Sequence, residues 1–284
     1  GLRVIVSIPS PSSGVLELGP LSIHAYGLMI AIGVVAGIWL LGRRAERAGT
    51  ATREQMSSAA MWGVVAGILG ARLYYVITDA SEPWREPAKW LRIWEGGLGV
   101  PGGLLAGVLV GLWRARRLGI TVSGVLTAVA PALPLAQAIG RWGNWWNQEL
   151  YGRETTLPWG LEIDKYPGTL FHPTFLYESL WNLALCGALI LADRKWKPRG
   201  LFAWYVLGYA VGRFWIEGLR IDAANSGGGL RLNQWTAIVA GVLALASLVV
   251  GRRRVPSDSC PPTASSTSSV NPESPSSPSI DPID

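Results

Sequence analysis

The chain has 284 residues, of which 49% are hydrophobic and 15% are charged, and its mean hydropathy is +0.28. Soluble domains carry charges on about a quarter of their residues, so this composition excludes an ordinary soluble domain and favours a membrane protein. The net charge of +6 does not favour a nucleic-acid-binding protein, because the basic residues are distributed in short clusters between apolar runs.

Seven apolar runs predict an all-α polytopic membrane protein with about seven transmembrane helices. Residues 21–41 form the clearest run, which contains no Lys, Arg, Asp or Glu, and about 20 apolar residues suffice to cross the hydrocarbon core. The other runs, several of them short, glycine-rich or interrupted by an ionisable residue, are 57–77, 96–113, 120–139, 175–192, 201–215 and 232–250. No basic segment or cleavage site precedes the first run, so we expect no removable signal peptide.

Basic clusters follow the first, third, fifth and seventh runs, which places all of them on one side of a seven-span protein. The positive-inside rule assigns that side to the cytoplasm, with the N-terminus outside and the C-terminus inside. The clusters are Arg43, Arg44, Arg47 and Arg53; Arg114, Arg116 and Arg117; Arg194, Lys195, Lys197 and Arg199; and Arg252, Arg253 and Arg254. Topology does not account for Arg72, Arg141, Arg213 and Arg220, which lie within or at the outer ends of spans.

Residues 1–254 are predicted to form the seven-span domain with its outer-face loops. Residues 255–284 consist mainly of Ser, Pro and Thr. They cannot bury enough apolar surface to offset the entropy of ordering, so a disordered cytoplasmic tail is expected. Cys186 lies inside a predicted span and Cys260 in this tail, so no disulfide is expected.

Glycines spaced four residues apart predict close packing of helices within the bundle, with homodimerisation through one of these faces as the alternative. The pairs are Gly33 and Gly37, Gly63 and Gly67, Gly103 and Gly107, and Gly208 and Gly212. Pro131 and Pro134 are expected to kink the fourth span, and the glycine-rich stretch 96–103 to make the start of the third irregular. Non-helical backbone persists in a membrane only where it is buried or lines a wet cavity. Both features therefore predict a cavity within the bundle, toward its outer half.

The end of the sixth span places Arg213, Glu217 and Arg220 on one helical face. An arginine at this depth costs at least about 2.5 kcal/mol, so it needs a partner inside the bundle. Glu217 can pair with one arginine and leave the other to bind an anion. The alternative is an interhelical salt bridge that only holds the bundle together.

A second polar cluster, residues 140–153, follows the fourth span and begins a long outer connection that extends to about residue 173. Arg141, Asn144, Asn147 and Glu149 combine a guanidinium with amides and a carboxylate, a set that could hold a phosphate and a polar headgroup. The alternative is a polar loop at the interface. Tryptophans at its entrance, which favour the headgroup level, are expected to be anchors: Trp142, Trp145 and Trp146.

Two further segments carry ionisable groups near the outer ends of spans. Glu178 lies about one turn inside the fifth span, after His172, and Arg72 of the second span is a candidate partner for its carboxylate. For this pair a structural role is as plausible as a functional one. His24 opens the first span and could act as a general base near pH 7, or simply serve as an interfacial anchor.

With these segments in place, the chain resembles the prolipoprotein diacylglyceryl transferases over most of residues 15–251. The resemblance is carried by ordered motifs, and its longest is Gly-Arg-x-Gly-Asn-x-x-Asn-x-Glu-x-x-Gly at 140–152. The others are Leu-Gly-Pro at 18–20 leading to His-Ala-Tyr-Gly at 24–27, Gly-Ala-Arg at 70–72, Trp-Glu-Gly-Gly at 94–97, His-Pro-x-x-Leu-Tyr-Glu at 172–178, and Gly-Arg-Phe-x-x-Glu-x-x-Arg at 212–220.

The resemblance implies transfer of the diacylglyceryl group of phosphatidylglycerol to the lipobox cysteine of a prolipoprotein, giving a thioether and glycerol phosphate. The active site would face the outer leaflet of the bacterial cytoplasmic membrane, and residues 1–254 would be the catalytic domain. Arg141 and Arg213 would grip the phosphate, and Tyr26 would donate a hydrogen bond near it. The implied catalytic residues are Arg141, Arg213, Glu149, His24 and Tyr26; the implied substrate-binding residues are Arg141, Asn144, Asn147, Gly152, Glu217 and Arg220.

One position departs from the family pattern, because Pro101 stands where many relatives carry a histidine that is often proposed as the base. Either His24, Glu149 or another group takes the thiol proton, or the arginine field suffices. Two distant histidines and no cysteine cluster give no metal ligand set, and no cofactor is implied. A phospholipid-binding transporter or scramblase is the alternative function, although no paired repeat of broken helices is visible.

Overall fold

The computed structural model describes residues 7–18, 21–78, 90, 97–221, 226–227 and 229–253, so the predicted tail lies outside the described residues. Within these ranges the chain is mostly helical. The helices are α1 (Ala25–Arg47), α2 (Arg53–Thr78), α3 (Val100–Arg117), α4 (Val122–Gly140), α5 (Trp142–Trp146), α6 (Thr174–Lys195), α7 (Leu201–Glu217) and α8 (Leu232–Arg253). Short antiparallel hairpins join β1 (Val15–Leu18) to β2 (Leu21–His24), β3 (Leu161–Glu162) to β4 (Leu170–Phe171), and β5 (Ser226–Gly227) to β6 (Leu230–Arg231).

Each predicted apolar run corresponds to one long helix of the described chain. By length and composition, α1, α2, α4, α6 and α8 can each cross a membrane, which confirms a mostly helical membrane protein. The other two are shorter, since α3 has 18 residues, three of them arginines in its last turn, and α7 has 17. The count of seven spans and the orientation of the termini therefore remain predictions.

Glycines let neighbouring helix backbones approach closely, as the four-residue spacings predicted. On α1, a Cβ added at Gly33 would lie 2.7 Å from the carbonyl oxygen of Ala136 in α4. On α2, a Cβ added at Gly63 would lie 3.1 Å from the carbonyl oxygen of Gly107 in α3. Gly208 of α7 instead leaves room for the side chain of Leu185 in α6, whose Cδ1 would lie 2.5 Å from an added Cβ. These glycine faces are thus used for packing within the chain.

The start of α3 is more regular than predicted. Residues 97–99 are non-helical, but α3 begins at Val100 and runs without interruption through residues 101–103. Pro101 lies in the first turn, where its missing N–H removes no intrahelical hydrogen bond, so the expected irregularity of 100–103 is wrong. Helix α4 continues through Pro131 and Pro134, both of which are fully buried, and the kink expected at these prolines stays a prediction.

The long helices alternate in direction, which separates two chemically different ends of the bundle. One end carries the basic clusters, and there Arg44 of α1 pairs with Asp193 of α6 at 2.7 Å. The opposite end collects the first residues of α1, α6 and α8 and the last residues of α4 and α7. The loop that follows α5 lies at this second end, together with the sequence-predicted site residues.

Candidate active site

The junction of α4 and α5 places Arg141 at the centre of a polar network. Arg141 caps the C-terminus of α4, and its Nε contacts Oε2 of Glu178, one turn inside α6. Its Nη1 lies 3.5 Å from Oδ1 of Asn144, which is buried in α5. The side chain of Arg141 remains 22% accessible, so its guanidinium can still meet a ligand.

Glu178 bridges two arginines that come from different helices. Besides the contact with Arg141, its Oε1 lies 3.3 Å from Nη1 of Arg213 in α7. The predicted pair between Glu178 and Arg72 is therefore wrong. Arg72 instead donates from Nε and Nη1 to the carbonyl oxygens of Trp90 and Gly97, at 3.1 and 3.0 Å. The physical reason is packing, because α6 contacts α4 and α7 whereas α2 packs mainly on α3.

Glu217, which is fully buried at the end of α7, joins three arginines. Its Oε2 lies 2.8 Å from Nη2 of Arg213 and 3.6 Å from Nη1 of Arg220. The three residues share one helical face as predicted, but Glu217 contacts both arginines rather than one. Its Oε1 lies 3.0 Å from Nε of Arg231 and accepts a hydrogen bond from Asn233 at 3.1 Å.

Sequence reasoning missed Arg231 and Asn233, which enter the site from β6 and the first turn of α8. Arg231 also donates from Nη1 to the carbonyl oxygen of Arg220 at 2.7 Å. The sequence did contain a signal for the role of Arg231. This residue precedes an apolar run on the predicted outer side, where the positive-inside rule requires no arginine.

The described part of the network carries an excess of positive charge. It contains four guanidinium groups and two carboxylates, a formal excess of two positive charges. The arginine side chains are 5–22% accessible, so water screens them poorly and their field is stronger than at an exposed surface. Such a site favours an anion, and Arg141 and Arg213 are held side by side on one carboxylate.

A second chain of contacts connects Arg141, through Asn144, to the solvent-exposed carboxylate of Glu149. Asn144 donates from Nδ2 to Oε1 of Glu149 at 2.9 Å, and Nδ2 of Asn147 lies 3.5 Å from the same oxygen. Glu149 stands between Gln148 and Leu150, whose φ angles of 50° and 60° lie in the left-handed region. That conformation costs a non-glycine residue about 1–3 kcal/mol, so surrounding contacts must hold this turn in place.

The remaining predicted site residues differ in how closely they approach the network. Tyr26 packs its ring on Gly143 of α5, two residues after Arg141, where a Cβ would lie only 2.6 Å from Cδ2 of the ring. His24 is exposed at the start of α1. Among the described residues, no hydrogen bond or ion pair joins His24 to the arginines or their carboxylates.

Gly152 positions the outer loop against the end of α7. Its amide donates to the carbonyl oxygen of His172 at 2.9 Å, and it forms a β-bridge with Arg220. A Cβ at this position would lie 2.7 Å from Cβ of His172, so only glycine fits without movement. Nδ1 of His172 lies 3.2 Å from the hydroxyl of Tyr177, a contact that fits the structural role expected for this histidine.

Two of the three tryptophans at the entrance of the loop pack on α6. Trp145 stacks on Phe175, and Trp142 meets the same ring edge-on. Nε1 of Trp142 donates to Ser179 at 3.2 Å, and Nε1 of Trp145 donates to the carbonyl oxygen of Pro9 at 3.1 Å. These contacts fasten the loop that carries Asn144 and Glu149 to the helical bundle.

Comparison with known proteins identifies the family of the chain. Residues 13–250 match the family described as prolipoprotein diacylglyceryl transferase. The chain is 47% identical over 264 residues to phosphatidylglycerol--prolipoprotein diacylglyceryl transferase 1 of Streptomyces coelicolor, covering 88% of this chain and 75% of the relative. It is 49% identical over 263 residues to transferase 2 of the same organism, covering 88% and 82%. The enzyme of that name from Cutibacterium acnes is 46% identical over 261 residues, covering 88% of both chains.

Proposed function

Because the chain belongs to the prolipoprotein diacylglyceryl transferase family, we propose that its arginine network binds phosphatidylglycerol and positions this lipid for transfer. The protein is a membrane-bound transferase that moves a diacylglyceryl group from phosphatidylglycerol to a prolipoprotein, the first step of lipoprotein lipidation. The family assignment favours this function over a phospholipid transporter or scramblase.

The observation that carries the assignment of residues is the bridge that Glu178 makes between Arg141 and Arg213. It holds two guanidinium groups close together, as a phosphate with several acceptor oxygens requires. Guanidinium groups fixed before the substrate arrives need no reorganisation during the reaction. Arg141 and Arg213 therefore form the phosphate grip.

The chemistry of the reaction explains why fixed cations are needed. The acceptor thiolate forms a bond to the terminal glycerol carbon of the diacylglyceryl group, and the bond from that carbon to the phosphate oxygen breaks. The electron pair of the broken bond stays with the oxygen, so glycerol phosphate leaves with one more negative charge than the bound phosphodiester. Preorganised donors at such a site commonly contribute about 3–4 kcal/mol each, and Arg141 and Arg213 are placed to do so.

Proton removal from the acceptor thiol falls to Glu149 in this scheme. A free thiol has a pKa of about 8.5, so the site must favour the thiolate by a base or by positive potential. Glu149 is exposed and is joined to Arg141 through Asn144, whereas His24 makes no such connection among the described residues. The adjacent arginines stabilise the thiolate once it has formed.

The other site residues orient this machinery. Glu217 orients the guanidinium group of Arg213. Arg220 and Arg231 raise the positive potential of the site and hold the Glu217 carboxylate in place. Asn147 and Tyr26 face the glycerol headgroup, and Gly152 allows the loop to approach Arg220.

The proposed topology has seven spans, with the N-terminus outside and the C-terminus in the cytoplasm. Support comes from the separation of the basic clusters from the arginine network, which lie at opposite ends of the bundle. Helix α3, with 18 residues, is about 27 Å long at 1.5 Å per residue, close to the thickness of the hydrocarbon core. The site would then face the outer leaflet of the bacterial cytoplasmic membrane, where signal peptides present their lipobox cysteine.

Incubation of the purified protein with phosphatidylglycerol and a lipobox peptide tests the assignment of the phosphate grip. Mass spectrometry should detect a diacylglyceryl increment on the cysteine, and a peptide with serine in its place should remain unmodified. Arg141→Ala should form little product. If Arg141→Ala matches wild type in product formation, the grip is wrongly assigned.

A further inference from the structure

An open cavity adjoins the arginine network at the outer end of the molecule. Its volume is about 590 Å³, within the ~300–1,000 Å³ range of ligand sites. Its walls are the N-terminal segment, the turn after α5 and the loop after β3. The polar residues of the lining include Ser12, Ser13, Asn147, Glu149, Asp164 and Lys165. We call this feature the outer cavity.

The walls of the outer cavity are fixed to one another by direct hydrogen bonds. Gln148 donates from Nε2 to the carbonyl oxygen of Pro11 at 2.9 Å and to Oδ2 of Asp164 at 2.7 Å. Its Oε1 accepts a hydrogen bond from the amide of Asp164 at 2.9 Å. Ile8 exchanges backbone hydrogen bonds with Gly160 and Glu162, each 2.9 Å long. The cavity is therefore built before any ligand arrives.

Glu149 links the outer cavity to the active site. It lines the cavity while its Oε1 accepts a hydrogen bond from Asn144, which in turn lies next to Arg141. The left-handed φ angles of Gln148 and Leu150 on either side set the direction of this residue, and the hydroxyl of Thr174 donates to the carbonyl oxygen of Leu150. Whatever occupies the cavity is thus in contact with the proposed base.

The charge of the lining decides between two possible occupants. The described lining residues include two carboxylates, Glu149 and Asp164, and one cation, Lys165, which gives them a formal charge of −1. This charge disfavours the leaving glycerol phosphate, which is an anion. The hydroxyl and amide groups of Ser12, Ser13, Asn147 and Gln148 instead suit a polar peptide, and the two carboxylates favour a basic side chain.

We propose that the outer cavity binds the residues that follow the acceptor cysteine of the prolipoprotein and prefers basic over acidic side chains there. This inference rests on the proposed function. The apolar part of the acceptor lies in the bilayer before its cysteine, and the chain then continues outward as a polar segment. With the thiol beside Glu149, that segment enters the cavity next to it.

Two lipobox peptides that differ only at the second position after the cysteine, lysine in one and glutamate in the other, test the proposal on the full-length protein. The wild type should show a KM about fivefold lower for the lysine peptide, the scale of a solvent-exposed charge contact. Equal KM values would overturn the cavity assignment while leaving the transferase assignment intact. Failure of the wild type to modify either peptide would refute the proposed function itself.

Two variants that change the charge of the lining in opposite directions test whether the outer cavity is the origin of the peptide preference. Asp164→Asn keeps an acceptor for Gln148 but removes a negative charge, so the preference for the lysine peptide should shrink. Lys165→Gln removes the one cation among the described lining residues and should widen the preference. Glu154→Gln changes an exposed carboxylate of the same loop that does not line the cavity, and it should leave the ratio of KM values unchanged. A preference that moves in neither cavity variant would overturn the proposal.

Discussion

Replacement of Arg213 by lysine separates charge from geometry at the phosphate grip. The guanidinium group of Arg213 contacts two carboxylates, with Nη2 lying 2.8 Å from Glu217 and Nη1 lying 3.3 Å from Glu178. Lysine keeps the positive charge but offers a compact ammonium at the end of a flexible chain. It cannot bridge the two carboxylates and also face a phosphate.

The size of the effect follows from these contacts. Loss of one preorganised donor at a developing anion costs about 2.7–4 kcal/mol, so kcat/KM of Arg213→Lys should fall by about 10²–10³-fold. Most of this loss should appear in kcat, because the charge on the leaving phosphate grows only as the bond breaks. The fold should survive, because lysine keeps a charge opposite Glu217 and avoids the ~3–5 kcal/mol penalty of an uncompensated buried ion.

A matched control exists at the opposite end of the bundle. Arg44 is also largely buried and also pairs through Nη2 with a carboxylate, Asp193, at 2.7 Å. Arg44→Lys should leave kcat/KM for phosphatidylglycerol and the lipobox peptide unchanged. Arg213 has no special role in phosphate binding if Arg213→Lys, shown to be folded by its thermal unfolding, retains the activity of the Arg44→Lys control.

Four further variants test separate parts of the account. Glu178→Gln should lower kcat/KM by at least about tenfold, since a hydrogen bond to a charged group contributes ~1.5–3 kcal/mol; steady-state kinetics with unchanged values would contradict the bridging role. Arg231→Gln should lower both kcat and the unfolding temperature. If neither quantity changes, Arg231 is not part of the site. Pro101→Ala should keep wild-type turnover, because no proton transfer is assigned to this position; lost turnover in a folded protein would contradict that. Burial, followed by the charge of Arg153, lowers the pKa of His172. The unfolded chain therefore binds the proton more readily, and stability should decrease as the pH falls below about 6.5. Thermal unfolding measured against pH should show a weaker decrease in His172→Gln, and an unaltered profile would exclude this origin.

The positions of the long helices could be predicted because each must bury an apolar run against lipid or other helices. The seven apolar runs coincide with α1, α2, α3, α4, α6, α7 and α8 to within a few residues. The start of α3 was predicted poorly. A run of glycines around Pro101 is equally compatible with a loop and a first helical turn, and packing of Gly102 on Tyr74 of α2 decides between them.

Pairing across helices was less predictable than pairing along one helix. The spacing of Arg213, Glu217 and Arg220 fixes a common face by helix geometry alone. The partner of Glu178 depends on which helices are neighbours, and sequence does not state that α6 lies against α4 and α7. Arg231 was missed for the same reason, since its role depends on β6 returning to the end of α7.

The loop after α5 shows a third kind of limit. Nothing in the local sequence predicts left-handed φ angles at Gln148 and Leu150, because glycine or asparagine usually occupies such positions. Contacts from distant segments, including Pro11, Asp164 and Thr174, hold this turn. The long motif at 140–152 identified the residues, but their arrangement required the tertiary structure.

The most direct test of the central claim is the stoichiometry of the reaction in a membrane containing phosphatidylglycerol labelled in its headgroup. One labelled glycerol phosphate should be released for each thioether formed on the lipobox cysteine, and both products should be reduced together in Arg141→Ala and Arg213→Ala. Movement of labelled lipid between leaflets, without release of glycerol phosphate or formation of a thioether, would contradict that claim.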